Sequence, residues 1–255
     1  MMARQCVRSI ESTNSDIEPF VMPATTPATI AVHLRTIGER DIGYKEFEIS
    51  KALLKKQKGS TLPLVNYTYP VDNSQNRFDH DTGLQLNAYR ARDPNKIVAC
   101  SVSHLRAWVH CVRQNRPIVV LEHDAIFDAK FALRDFSKTA DDSRAWGVMG
   151  INKPVEGHAR RASVYFQRML DFDGPRSSLM MPVPTVNKDG EFNPQGLAGN
   201  SAYVIKPWAA RELIDRTIKC GLWPNDALLC REIFPWIRQA RMTATTIQMS
   251  SRSTT

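Results

Sequence analysis

The residues of this chain best suited to chemistry are two acids at the end of an apolar run. Glu122, His123 and Asp124 directly follow Ile118-Val119-Val120-Leu121, itself opened by Pro117. A short continuous apolar stretch of this kind is the pattern of a strand buried on both faces. Side chains alternate along a strand, so carboxylates two residues apart point in roughly the same direction. Glu122 and Asp124 could therefore share one divalent ion. Their hard oxygen ligands suit Mg²⁺ or Mn²⁺, and in open α/β sheets ligands bind beyond the carboxyl ends of the strands. An ion held there would neutralise a departing diphosphate. The plainer alternative is that the acids end a strand and face water, as short acidic motifs often do. His123 should point the other way, as a packed or hydrogen-bonded histidine, and is assigned no chemistry.

A second candidate is Asp226, after Trp223-Pro224-Asn225 and before an apolar helical segment. There an aspartate is a good N-cap, worth about 1 kcal/mol. It could equally be a general base that deprotonates an acceptor hydroxyl, with Trp223 and Pro224 as an apolar wall that raises its pKa and stacks on a sugar or base. Trp223 and Asn225 are accordingly candidate acceptor contacts. Ser103-His104 invites comparison with a nucleophilic dyad, but adjacent residues on a helix face different ways. Hydrogen bonding near a nucleotide suits the pair better. GxGxxG, the Walker lysine loop, HExxH and GxSxG are all absent, which argues against the commonest rival enzyme classes.

These residues need elements to hold them. Residues 4–13 read as a short helix with Cys6, Val7 and Ile10 at helical spacing, and residues 17–22 as a short strand before Pro23. Residues 30–34 read as a second strand. A helix is expected over 44–58, with Phe47, Leu53 and Leu54 inward and Lys55, Lys56 and Lys58 at its negative end before Gly59. Residues 70–95 are polar, a binding loop or a partly disordered one. The helix over 97–114 carries Val98, Val102, Leu105, Val109 and Val112 on one stripe, and leads into the strand 118–121 and the acids. A strand at 146–151 precedes a long variable stretch, 152–192, with Arg160, Arg161, Arg168 and Arg176, either phosphate contacts or a solvated loop. A strand at 201–205 and a helix at 208–219, ending at Cys220-Gly221, complete the reading, with no internal repeat.

The chain of 255 residues is long enough for one large α/β domain. A single domain over 1–255 is expected, with the motifs in 96–230, a less regular part in 1–95 and a tail in 231–255. Its five cysteines include no CxxC spacing, which argues against a disulfide framework or a structural zinc and for reduced thiols in a cytoplasmic protein. Residues 1–13 are polar and carry Glu11, unlike a secretory signal. No apolar run approaches the roughly 18 residues of a membrane span. The formal charge of +8 favours polyanions without choosing among nucleotide-sugars, lipopolysaccharide, anionic membranes and DNA.

Together, Ala99-Cys100-Ser101-Val102-Ser103-His104-Leu105-Arg106-Ala107-Trp108 and Val119-Val120-Leu121-Glu122-His123-Asp124-Ala125 resemble glycosyltransferase family 25, with its Cys...Ser-His...Trp helix and its strand ending in Glu-Asp-Asp. Gly199-Asn200-Ser201-Ala202-Tyr203-Val204-Ile205, the helix with Ala209 and Ala210, and Pro224-Asn225-Asp226 look like the family's later elements in the same order. The resemblance implies an α/β, GT-A-like fold with a mixed sheet flanked by helices, a nucleotide-sugar donor and inverting transfer to an acceptor hydroxyl. It implies a divalent cation, Mn²⁺ or Mg²⁺, at Glu122 and Asp124 and the acceptor or base role for Asp226; Ser103, His104, Glu122 and Asn200 are the candidate donor contacts. His123 stands where the family has its middle Asp. The opening strand of the family is either residues 30–40 or missing, with residues 4–27 then supplying the first helix and second strand. Residues 67–108 and the Ser-Thr-Thr end also look like glycosyltransferase-like proteins of bacteriophages, so the acceptor is either a surface glycan such as lipopolysaccharide or a hydroxylated base in phage DNA. A non-catalytic nucleotide or polyanion binder on a degenerate glycosyltransferase fold is the rival from another class.

Overall fold

The computed structural model opens with α1 (Met2–Ser12), an amphipathic helix that buries Cys6, Ser9 and Ile10, in agreement with the helical spacing of its apolar residues. It describes residues 2–13, 15–37, 77–78, 85–86, 94–132, 144–152, 180–183, 186–188, 191–193, 197, 200–220, 225–229, 231 and 233–246. The helix expected over 44–58, Trp223 and the arginines at 160, 161, 168 and 176 lie outside these residues. The chain groups into two compact units, the first being Met1–Val21, Val119–Val204 and Trp236–Thr255, the second Met22–Ile118 and Ile205–Pro235.

The first unit is built on a mixed sheet. Its strands are β3 (Ile118–Leu121), β4 (Ala125–Phe127), β5 (Val148–Asn152), β6 (Met180–Pro182), β9 (Ala202–Ile205) and β10 (Ile237–Thr246). The order is β3-β9-β5-β10-β4, with β6 also paired to β10. β10 runs parallel to β5 and antiparallel to β4 and β6, and its register against β5 shifts between Gln239 and Ala244. A separate hairpin joins β7 (Val186–Lys188) to β8 (Glu191–Asn193). β5 and β9 are buried at every residue, as their apolar composition requires. β3 differs from expectation, since only Val120 is fully buried. It is an edge strand in this order, and an edge strand has a neighbour on one side only.

The core of this unit gathers Cys6, Ile10, Phe127, Phe131, Trp146, Met149, Ile151 and Val204, with Ile17, Val119 and Leu121 packed against it. Phe127 and Phe131 lie 6.2 Å apart at a tilt of 52°, within the range of a favourable aromatic pair. Residues 17–22 do not form the expected strand. Phe20 and Val21 are 74% and 61% exposed, so these two face water while Ile17 packs against the core.

The second unit carries the helices. α2 (Ile30–Ile37) covers residues 30–34, where the sequence predicts a strand. Ile30, Leu34 and Ile37 are buried while Val32 is 49% exposed, which is helical periodicity rather than alternation. A single 3₁₀ turn, Pro27–Thr29, starts it. Proline suits the first helical position, and the Thr26 N–H donates to Thr29 Oγ1 at 2.8 Å, closing the entry. That chemistry overrides the weak strand preference of β-branched residues. It also makes residues 30–37 helical where the opening strand of 30–40 is expected, with 38–40 outside the described residues.

α3 (Pro94–Gln114) packs against α4 (Pro207–Cys220) and, more lightly, α5 (Asn225–Leu228). Its stripe of Val98, Val102, Leu105, Val109 and Val112 is buried throughout, as the sequence predicts. Cys111 is fully buried, with its thiol directed at the carbonyls of Ile205 and Arg116. Burial pushes that thiol up to about 12, so it is structural rather than reactive. A short hairpin, β1 (Arg77–Phe78) with β2 (Gln85–Leu86), completes the unit.

Candidate active site

β3 stops at Leu121, and Glu122 to Ala125 form a turn closed by the Ala125 N–H donating to Glu122 O at 3.1 Å. The Glu122 N–H donates to Ser201 O at 2.8 Å, which ties the start of the turn to the residue before β9. The two acids are therefore not alternate residues of a strand, and strand periodicity is not what associates them. The turn does so. Asp124 is held above its ordinary value of 3.8, first by burial and then by the charge of Glu122; His123 and a backbone hydrogen bond pull the other way. His123 is exposed rather than packed.

Asp124 Oδ1 is buried and has no hydrogen-bond partner among the described residues. A buried carboxylate oxygen without a donor costs free energy. A second acid within Coulombic reach adds to that cost. Both penalties are relieved by a cation, and two carboxylates are the ligands that a hard divalent ion takes. The residues present thus fit such an ion on chemical grounds. Asn200, the neighbour of Ser201, is buried at the same strand end.

In the second unit, Ser103 is largely committed to the fold. Its hydroxyl donates to Ala99 O at 3.0 Å and accepts the Thr25 N–H at 2.9 Å. A hydroxyl has one proton, and this one is used within α3. Arg106, one turn along, donates to Pro23 O at 2.7 Å and also faces His33 Nδ1 at 3.2 Å. Thr25 Oγ1 lies 2.9 Å from the same nitrogen. A guanidinium has only donors, so Nδ1 is the acceptor and the His33 ring is neutral. Burial, then the Arg106 charge, lowers its pKa accordingly. The helix thus clamps the segment around Thr25.

His104 is buried on α3. Cys100 donates from Sγ to Asn225 Oδ1 at 3.5 Å, so the Cys and Asn of the two sequence motifs meet. Asn225 Nδ2 is buried without an acceptor among the described residues. α5 begins at Asn225, so Asp226 falls inside the first turn of a four-residue helix rather than at its cap.

The sequence reading finds α1 as a helix but not its place in the site. The Asp124 charge acts on the buried Cys6 thiol and, after burial itself, raises it, so α1 lies beside the acid turn. No local pattern relates Cys6 to Asp124, and only the folded chain brings them together.

Compared with known families, residues 44–229 match the profile of glycosyltransferase family 25 (LPS biosynthesis protein). The matched span contains every candidate site residue and excludes α1 and α2. No curated protein matches the chain.

Proposed function

The chain belongs to glycosyltransferase family 25, and on that premise we propose that it moves a sugar from a nucleotide-sugar to an acceptor hydroxyl, with Glu122 and Asp124 as the acidic centre. The observation that carries this reading is the buried, donor-less Asp124 Oδ1 beside a second acid. Glu122 and Asp124 would hold Mn²⁺ or Mg²⁺, which when bound supplies positive charge to the diphosphate leaving group. The Ser201 carbonyl fixes the start of the turn, so the acids keep their spacing without a strand.

Asp226 takes the base role, accepting the proton of the acceptor hydroxyl so that the oxygen attacks the anomeric carbon with inversion. Asn225, with a free amide donor among the described residues, and Trp223 orient the acceptor. Asn200 and His104 shape the donor site, while Ser103 serves it indirectly by holding the segment at Thr25. The mixed sheet is consistent with a GT-A-like arrangement. The acceptor is a glycan, following the family's description; the DNA acceptor rests on the net charge and the phage-like resemblance, and the family match lends it no support. No described helix is long and apolar enough to cross a membrane.

The test is thermal stabilisation against UDP, GDP, CMP and their sugars, each with and without Mn²⁺. A ligand at a hundred-fold excess over its Kd stabilises the native state by about 2.7 kcal/mol, so one nucleotide should raise the Tm in the presence of metal. If none does, the transferase reading is lost, a nucleotide binder is lost with it, and a polyanion binder on the same fold gains ground.

A further inference from the structure

β4 begins immediately after the acid turn and lies at the end of the strand order, with β10 on one side. An edge strand leaves backbone amides facing outward that need another partner. Here α1 supplies it. The Phe127 N–H donates to Ser9 Oγ at 3.0 Å, and the Ser9 hydroxyl donates to Cys6 O at 2.7 Å. Farther along, the Phe131 N–H donates to Ser15 Oγ at 3.1 Å and the Asp16 N–H to Phe131 O at 3.3 Å. Both ends of the segment after the acid turn are therefore tied to the N-terminal segment, and Cys6 lies within reach of the Asp124 charge.

We propose that α1, which lies outside the family-matched span, is a positioning element of the acidic centre, and that Ser9 is its positioning residue. Ser9 fixes the Phe127 amide, Phe127 fixes the direction in which β4 leaves the turn, and the turn fixes Asp124 relative to Glu122. This inference rests on the reading of Glu122 and Asp124 as a cation site. Its distinguishing claim is that a hydroxyl contributed by a separate helix sets the geometry of that site, so its loss affects cation affinity beyond any loss of stability.

The measurement is Mn²⁺ binding by the full chain without nucleotide, followed as the loss of the free-ion electron paramagnetic resonance signal. Ser9→Ala should weaken Mn²⁺ binding about five-fold, the size expected from one buried hydrogen bond, and Ser9→Thr should restore it. Thr217→Ala, which removes the bond from Thr217 Oγ1 to Leu213 O within α4, is the control for stability alone and should leave Mn²⁺ affinity unchanged. If Ser9→Ala does not fold, Ser15→Ala takes its place, with an expected weakening of about two-fold. Unchanged affinity in the serine variants, or equal weakening in Thr217→Ala, overturns the positioning role while the cation site stands. Absence of Mn²⁺ binding by the wild-type chain removes the cation site and this inference together.

Discussion

The turn at Glu122 to Asp124 and the face of α3 carrying Ser103 and Arg106 are both rich in polar groups, but they treat those groups in opposite ways. On α3 the Ser103 hydroxyl donates and accepts, and Arg106 reaches a carbonyl and a neutral histidine. In the turn, Asp124 presents a buried oxygen with no donor among the described residues and has a second acid close by. A protein tolerates unsatisfied buried charge where a ligand later answers it. The contrast teaches that a family motif is not uniformly catalytic. Part of it builds the helix and its strap, and part is left energetically incomplete.

The sharpest way to break this contrast is Asp124→Asn. It should lower metal-dependent turnover by about 100-fold or more, as measured by donor hydrolysis with Mn²⁺, while the circular dichroism spectrum stays that of the wild type. Retained activity would place the acidic centre elsewhere.

On the other side, Arg106→Met should cost about 1.5 kcal/mol of stability, the lower range for a charged hydrogen bond because this one faces solvent. Urea unfolding would report it, and proteolytic cleavage near Thr25 should quicken. Ser103→Ala should cost about 1 kcal/mol, with turnover per folded molecule kept. A collapse of turnover without a loss of stability would make Ser103 a substrate contact instead of a strap.

The smallest effects are in pH, and the two regions should answer with opposite sign. Asp124 has a folded value above its ordinary 3.8, so its contribution is full below that value and is lost as pH rises through the raised one. Between pH 4.5 and 7 the metal-free wild type should therefore lose more stability in urea unfolding than metal-free Asp124→Asn. His33 has a folded value below its ordinary 6.5. The strap's contribution is present above 6.5 and is lost as pH falls through the lowered value. Wild type should lose more stability than His33→Gln between pH 7.5 and 5, and equal losses would show that the strap does not depend on a neutral ring.

The sequence by itself determined the elements whose periodicity is strong and whose burial is complete. α3, β5, β9, α4 and the segment of α1 were legible because an apolar stripe or run of that length has few other ways to leave water. The acids at the end of 118–121 were legible as chemistry for the same reason, since nothing in a core-forming pattern calls for them. The short segments were not. Ile30, Val32 and Leu34 fit a strand as well as a helix, and Pro27 with Thr29 decided the matter through capping that periodicity does not weigh. Residues 17–22 have strand composition, but a strand also requires a neighbour to complete its ladder.

Only the tertiary structure decided which polar groups are satisfied. Ser103 and Asp124 are equally polar on paper, and the difference between them comes from Thr25 in one case and the lack of a described donor to Oδ1 in the other. The same holds for α1 against the acid turn, where Ser9 meets Phe127 across most of the N-terminal half of the chain. Hydrogen-bond satisfaction is a property of three-dimensional neighbours, whereas periodicity is a property of the chain, so the sequence could indicate acids without showing what holds them.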